Sequence, residues 1–186
     1  MRAFLAIEIE DYIKDNIDRT QQELKDIDAA RINYVKSENI HLTLKFFGDI
    51  DKDKQEQISE IVKDCMDDYS QYTLKLVNIG AFRNINNPRV IWTGIKDKEN
   101  RTVSLIKQLD EGFSKIGFKK EKNYTPHITI GRVKSLNNKK MLSDFLKEHH
   151  KTYFGKMQVK SICLKSSILT PEGPIYNTEE ELILKE

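Results

Sequence analysis

A chain of 186 residues can bury one sizeable core or two small lobes sharing one, and 38% hydrophobic with 32% charged content describes a globular protein with a heavily charged surface. The balance of 31 Lys and Arg against 29 Asp and Glu leaves a formal charge of +2, which argues against coating long nucleic acid through a basic face and leaves room for a small or end-specific anionic ligand. Cys65 and Cys163 form neither a CxxC pair nor a disulfide framework, and nothing approaches the ~20 apolar residues of a membrane span, so a reducing, cytoplasmic setting is expected.

In chain order, MRAFLAIEIED has too short an apolar run for a signal segment, and residues 2–9 read as a buried strand. A helix over about 10–29 follows, with Ile13, Ile17, Leu24 and Ile27 near helical spacing. Residues 31–36 and 40–47 read as strands, and 52–68 as a helix with Ile58, Ile61, Val62, Cys65 and Met66 on one face. Strands at 72–82 and 89–95 flank the turn-rich run Arg83 to Pro88. The helix predicted at 99–116 carries Leu105, Ile106, Leu109, Phe113 and Ile116, and Gly117 is a natural stop. Residues 127–133 are a strand. Asn137 and Asn138 open a helix that should bury Met141, Leu142, Phe145 and Leu146. A last strand pair, 153–169 and 175–184, is joined by Pro171-Glu172-Gly173-Pro174. No linker divides the chain, so one α+β unit over 1–186 is expected.

A diverged repeat runs through this order. His41-Leu42-Thr43-Leu44 returns 86 residues later as His127-Ile128-Thr129-Ile130, and Pro88 and Pro174 share the offset. Each copy is followed by a helix and a strand pair, which predicts two pseudo-symmetric lobes of antiparallel sheet with helices outside and a cleft between them. One His-x-Thr on a half-exposed strand says little, because polar residues alternate there in any case. Two copies among only four histidines say more: at average composition the frame follows a histidine on the order of once in several hundred.

Strand alternation gives each copy an aliphatic face and, opposite it, an imidazole beside a hydroxyl. If the two polar pairs meet across the cleft, the site suits attack of water on a strained cyclic phosphodiester. That reaction needs a base for water and an acid for the departing ribose oxygen, and histidine fills either role at neutral pH. The Thr43 and Thr129 hydroxyls can donate to non-bridging phosphate oxygens. A cyclic phosphate needs no separate activation, so neither metal nor cofactor is demanded. The adjacent His149 and His150, near a helix end, share no face and make a poor metal pair; complementing the helix dipole explains them better.

Further segments complete the pattern: Arg2-Ala3-Phe4-Leu5-Ala6-Ile7, Asn39-Ile40-His41-Leu42-Thr43-Leu44-Lys45-Phe46-Phe47-Gly48, Arg89-Val90-Ile91-Trp92 and Thr125-Pro126-His127-Ile128-Thr129-Ile130-Gly131-Arg132. Over essentially its whole length the chain resembles the LigT-like (ThpR-type) RNA 2′,3′-cyclic phosphodiesterases of the 2H phosphoesterase superfamily, also called 2′-5′ RNA ligases. The resemblance implies metal-free hydrolysis of a terminal 2′,3′-cyclic phosphate to a 2′-phosphomonoester. It implies His41 as proton donor to O3′ and His127 as the group that orients or deprotonates water, with Thr43 and Thr129 on the phosphate. By the same resemblance Phe46 and Arg132 contact the terminal base, which aromatic and guanidinium stacking allows. Alternation is read as putting Phe46 on the face of His41; Arg132 leaves the His127 face unless Gly131 permits a bulge. Lys115, Lys119, Lys120 and Lys122 form a basic run that steers RNA or, more commonly, is a solvated loop.

The expected partners are RNA ends bearing the cyclic phosphate, such as tRNA fragments, or small cyclic nucleotides, met by a monomer away from membranes. Two alternatives accompany this reading. One is ATP-independent 2′-5′ ligation, in which a 5′-hydroxyl replaces water, since neither a P-loop nor a Lys-x-Asp-Gly motif is present. The other is a non-catalytic binder of phosphorylated ends.

Overall fold

The computed structural model describes residues 1–186, and in it each helix forms around a single apolar stripe. α1 (Asp11–Asp26) buries Ile13, Ile17 and Leu24. α2 (Lys52–Met66) buries Ile58 and Val62, and its N-cap Asp51 accepts the Lys54 N–H at 2.8 Å. α3 (Arg101–Lys115) buries Leu105, Ile106, Leu109 and Phe113. It starts at Arg101 and not at 99 because Glu99 (φ 59°) and Asn100 (φ 53°) are left-handed, while Asp97 accepts the Thr102 N–H at 3.0 Å. α4 (Lys139–Glu148) is capped by Asn138, which accepts the Met141 N–H at 3.0 Å. Its inward stripe is Leu142, Phe145 and Leu146; Met141, expected inside, lies on the flank and is 44% exposed.

Nine strands make two antiparallel sheets. β1 (Arg2–Glu8), β3 (His41–Asp49), β8 (Ser161–Thr170) and β9 (Gly173–Ile183) form a four-stranded sheet in the order β3-β1-β8-β9. β2 (Ala30–Tyr34), β4 (Tyr72–Phe82), β5 (Val90–Asp97), β6 (His127–Leu136) and β7 (Tyr153–Val159) form a five-stranded sheet in the order β2-β6-β5-β4-β7. Helices α1 and α4 pack on the larger sheet, α3 on β3 and α2 on α3. The predicted α+β architecture of two lobes with outer helices is therefore present, around a buried cluster of 40 residues.

Two expectations about pairing change. The run 153–169, predicted as one strand, breaks at Lys160: β7 pairs with β4, whereas β8 pairs with β1 and β9. Alternating β7 runs into the continuous apolar start of β8, Ile162-Cys163-Leu164, with no turn residue between them, so the local pattern could not show that they serve different sheets. Likewise β2 and β3, neighbours in sequence, lie in different sheets and are separated by a single 3-10 turn, Ser37–Asn39.

The repeat is real at the level of register. In β1/β3, Phe4 stands opposite Phe46, Leu5 opposite Lys45, Ala6 opposite Thr43 and Glu8 opposite His41. In β5/β6, Val90 stands opposite Arg132, Ile91 opposite Gly131, Trp92 opposite Thr129 and Gly94 opposite His127. Every pair in the second set is the first displaced by 86 residues. The matched units are thus β1 with β3 and β5 with β6. Pro174 opens β9 at an edge of the smaller sheet, while Pro88 leads into β5 beside β6, so the two prolines are not equivalent. At the corresponding place in both units a residue, Leu44 or Ile130, has no partner across the ladder and forms a β-bulge; β3 also skips Phe47 nearer its end.

The residue after the first bulge holds the lobes' outer layer to the sheet. The Lys45 ammonium, on a side chain only 5% exposed, donates to Asp110 Oδ1 at 2.6 Å, to the Lys119 carbonyl at 2.7 Å and to Glu121 Oε1 at 3.1 Å. Asp110 Oδ2 accepts the Glu121 N–H at 2.8 Å and the Tyr124 hydroxyl at 2.7 Å. β3, α3 and the segment leading into β6 are thereby joined. Burial alone would raise the Asp110 carboxyl, but the bonds from Lys45, Tyr124 and the Glu121 N–H outweigh it and hold the group below its ordinary value. The bond to Asp110 pushes the Tyr124 phenol up to about 12. Replacing Lys45→Met strands a buried carboxylate and should cost about 3–5 kcal/mol in denaturant unfolding, against less than about 1 kcal/mol if the pair were an ordinary surface bridge. Because the folded carboxyl is the more acidic one, its contribution is full above the ordinary carboxylate value of 3.8 and is lost as pH falls below it.

Candidate active site

His41 and His127 open their strands at matching places and are held by matching bonds. Nδ1 of His41 lies 2.7 Å from the carbonyl of Asn39, and Nδ1 of His127 lies 2.8 Å from the carbonyl of Thr125, each two residues upstream. A carbonyl only accepts, so Nδ1 carries the proton in both rings and Nε2 of the neutral ring is a lone-pair acceptor. The Thr43 hydroxyl donates to Nε2 of His41 at 2.9 Å. Asn39 acts a second time through its side chain, where Nδ2 donates to the Pro174 carbonyl at 2.9 Å and pins β9 against the turn that delivers His41.

The two polar pairs do meet. His41, Thr43, His127 and Thr129 line one cleft of about 570 Å³, closed on its flanks by Asn33, Lys36, Pro174 and Tyr176. Phe46 and Arg132 line it too, and Phe46 is 66% exposed. Strict alternation would turn position 46, five residues from His41, to the opposite face, so Phe46 reaches the cleft in spite of alternation and not, as expected, because of it. The bulge at Leu44 reverses the alternation, and the bulge at Ile130 does the same for Arg132. Burial runs in step along the two strands, with positions 46 and 132 both exposed between buried neighbours.

Gly131 contributes by a different route from the one expected. Its φ is not positive; a Cβ there would meet Cγ2 of Ile32 at 2.6 Å and the Asn33 carbonyl at 3.3 Å, so the glycine lets β2 lie close. The Ile130 carbonyl accepts the Val35 N–H at 3.0 Å and also the Gln21 side chain, whose Nε2 donates to it at 3.0 Å and to the Val35 carbonyl at 2.8 Å. Gln21 and Tyr176 gave no signal in the sequence beyond being a polar or aromatic residue among others, and Asn39 stood only as the opening residue of the stretch around His41.

The surroundings of the two rings differ. His41 rests against Phe4 (centroids 4.9 Å apart, 33°) and meets Tyr176 edge-on (5.3 Å, 84°). Burial pushes its imidazole below the ordinary 6.5, partly offset by the bond to the Asn39 carbonyl and by Glu8. His127 meets Phe82 edge-on at 4.7 Å and makes no protein bond through Nε2. Gly80 makes room for the neighbouring Trp92 ring, since a Cβ there would lie 2.3 Å from it.

The remaining expected residues lie elsewhere. His149 stacks on Phe145 (4.1 Å) at the end of α4, and His150 Nδ1 lies 2.7 Å from the Lys147 carbonyl, as helix-end complementation requires. The basic run sits in the segment clamped by Lys45, with Lys120 paired to Glu111, and contributes nothing to the cleft lining.

Comparison with known proteins agrees with this geometry. The family model described as the AKAP7 2′5′ RNA ligase-like domain matches residues 3–184. The RNA 2′,3′-cyclic phosphodiesterase of Methanocaldococcus jannaschii is 41% identical over 181 residues, 97% of this chain and 99% of its own. That of Methanothermobacter thermautotrophicus is 38% identical over 180 residues, 97% of each chain. Among solved structures, TT0787 of Thermus thermophilus superposes with a TM-score of 0.82 at 21% identity, over 100% of this chain and 98% of the other. Escherichia coli LigT complexed with 3′-AMP gives 0.79 at 22% identity, over 100% and 98%, a likeness of fold. Matched from end to end in sequence and in fold, the chain belongs to the 2′5′ RNA ligase-like family of 2H phosphoesterases.

Proposed function

We propose that this protein hydrolyses the 2′,3′-cyclic phosphate at RNA ends to a 2′-phosphomonoester, with His41 and His127 as the proton-transfer pair. One observation carries the reading: two His-x-Thr units with the same tautomer-fixing bond line a single cleft. The relatives of 38% and 41% identity named RNA 2′,3′-cyclic phosphodiesterase support the substrate class. Two free, buried cysteines fit work in a reducing interior such as the cytoplasm. No helix is long and apolar enough to cross a membrane.

In the reaction, water attacks phosphorus while one Nε2 takes its proton. The P–O3′ bond breaks, and the other Nε2 protonates O3′, leaving a free 3′-hydroxyl and the phosphate on O2′. Once His41 Nε2 carries a proton the Thr43 hydroxyl is released from donating to it, and Thr43 and Thr129 donate to the non-bridging oxygens, where charge gathers. His41 is the donor to O3′ and His127 serves water, which has the more open side of the cleft. Burial disfavours the imidazolium of His41, so the ring gains its proton alongside the anionic phosphodiester, whose charge favours that form. Phe46 and Arg132, brought by the bulges to corresponding places on the two lobes, hold the terminal base by stacking.

Three outcomes test this. His41→Ala or His127→Ala should lower turnover of a cyclic-phosphate oligonucleotide by about 10²–10⁴-fold while the protein stays soluble; full activity in either variant overturns the mechanism. The pH profile of kcat/KM should be bell-shaped with one limb below 6.5, set by the free His41 whose imidazole burial holds down, and that limb should move up in kcat, where the bound phosphodiester favours the protonated donor. A profile flat from about pH 5 to 9 would remove the acid–base pair. Phe46→Ala or Arg132→Ala should raise KM roughly tenfold with a smaller change in kcat, and an unchanged KM would show that the base is held elsewhere.

A further inference from the structure

Each histidine has one aromatic ring standing perpendicular to it. For His127 it is Phe82 of β4, at 86°; for His41 it is Tyr176 of β9, at 84°. The packing is thus supplied twice, by strands that are not equivalent in the repeat. Only the second ring carries a hydroxyl, and only Tyr176 of the two lines the cleft.

That hydroxyl has no hydrogen-bond partner in the protein. It is not a loosely placed group. Tyr176 also meets Phe4 edge-on at 4.9 Å, stands opposite Ser167 in the β8–β9 ladder, and is two residues from Pro174, whose carbonyl is held by Asn39 at 2.9 Å. Pro174 and Tyr176 share one face of β9 by alternation, and both line the cleft. A half-buried phenol normally finds a partner. Burial raises its pKa, against the pull of Arg132 and Arg2, so it stays a proton donor throughout the neutral range.

We propose that Tyr176 is a substrate-contacting residue whose hydroxyl donates a hydrogen bond to a non-bridging oxygen of the phosphate held between His41 and His127. The assignment rests on the phosphodiesterase reading above. It adds a third hydroxyl to those of Thr43 and Thr129, placed on the His41 side, where Nε2 engages the Thr43 hydroxyl at 2.9 Å before the phosphate binds. A preorganised donor of this kind acts where charge builds up during attack, at no cost of reorganisation.

Tyr176→Phe separates the hydroxyl from the ring, because it keeps the edge-on packing against His41 and Phe4. Two measurements on wild type and variant decide: steady-state kinetics on a 2′,3′-cyclic nucleotide, and calorimetric affinity for inorganic phosphate. The variant should lose about tenfold in kcat/KM and bind phosphate about tenfold more weakly, with an unchanged unfolding midpoint and an unchanged lower pH limb. Wild-type kinetics and wild-type phosphate affinity in Tyr176→Phe would reduce the residue to packing and overturn the proposal. Failure of the wild type to turn over any cyclic phosphate would instead count against the functional reading, and the phosphate affinities would still report on Tyr176.

Discussion

An unpaired residue in each of two strands governs where this protein's side chains point. Leu44 in β3 and Ile130 in β6 have no partner across the ladder, and beyond each of them the alternation of faces reverses. Before the bulge, His41 with Thr43 and His127 with Thr129 face the cleft; after it, Phe46 and Arg132 do. A regular strand could not present His, Thr and a residue five places on to one side. At the bulge of the second lobe the Ile130 carbonyl accepts both the Val35 N–H and the buried Gln21 amide, which ties α1 to this point of the strand.

Duplication supplies two of everything, but proton transfer needs two unlike groups. The lobes have diverged accordingly. His41 lies between Phe4 and Tyr176 with its Nε2 engaged by Thr43, whereas His127 is held only at Nδ1 and touches Phe82. Environments that separate two titratable groups are how one reaction obtains both an acid and a base. The same divergence appears one residue past the bulge. Position 45 is a lysine that locks α3 and the approach to β6, and position 131 is a glycine that admits β2.

The cleft lies between lobes that are laced together covalently. The chain passes from the larger sheet to the smaller between β2 and β3, and again at Lys160 between β7 and β8. Asn39 stands at the first passage, where its carbonyl holds His41 and its side chain holds β9. Such cross-links keep the two imidazoles in fixed relation, which a site relying on position more than on a reactive cofactor requires.

The amino-acid order by itself determined the element types, the two His-x-Thr pairs and the repeat offset, because those follow from local periodicity and from rare residues in a shared frame. It also carried the family likeness. It did not determine that 153–169 serves two sheets, since β7 runs into β8 with no Gly, Pro or turn residue to mark the break and only the edges of β4 and β1 distinguish them. Nor did it reveal the roles of Gln21, Asn39 or Tyr176, which depend on carbonyls and rings brought from more than a hundred residues away. Phe46 and Arg132 do reach the cleft, yet the reason is tertiary. Whether a strand bulges is decided by the register of its partner, and register is a property of two strands together.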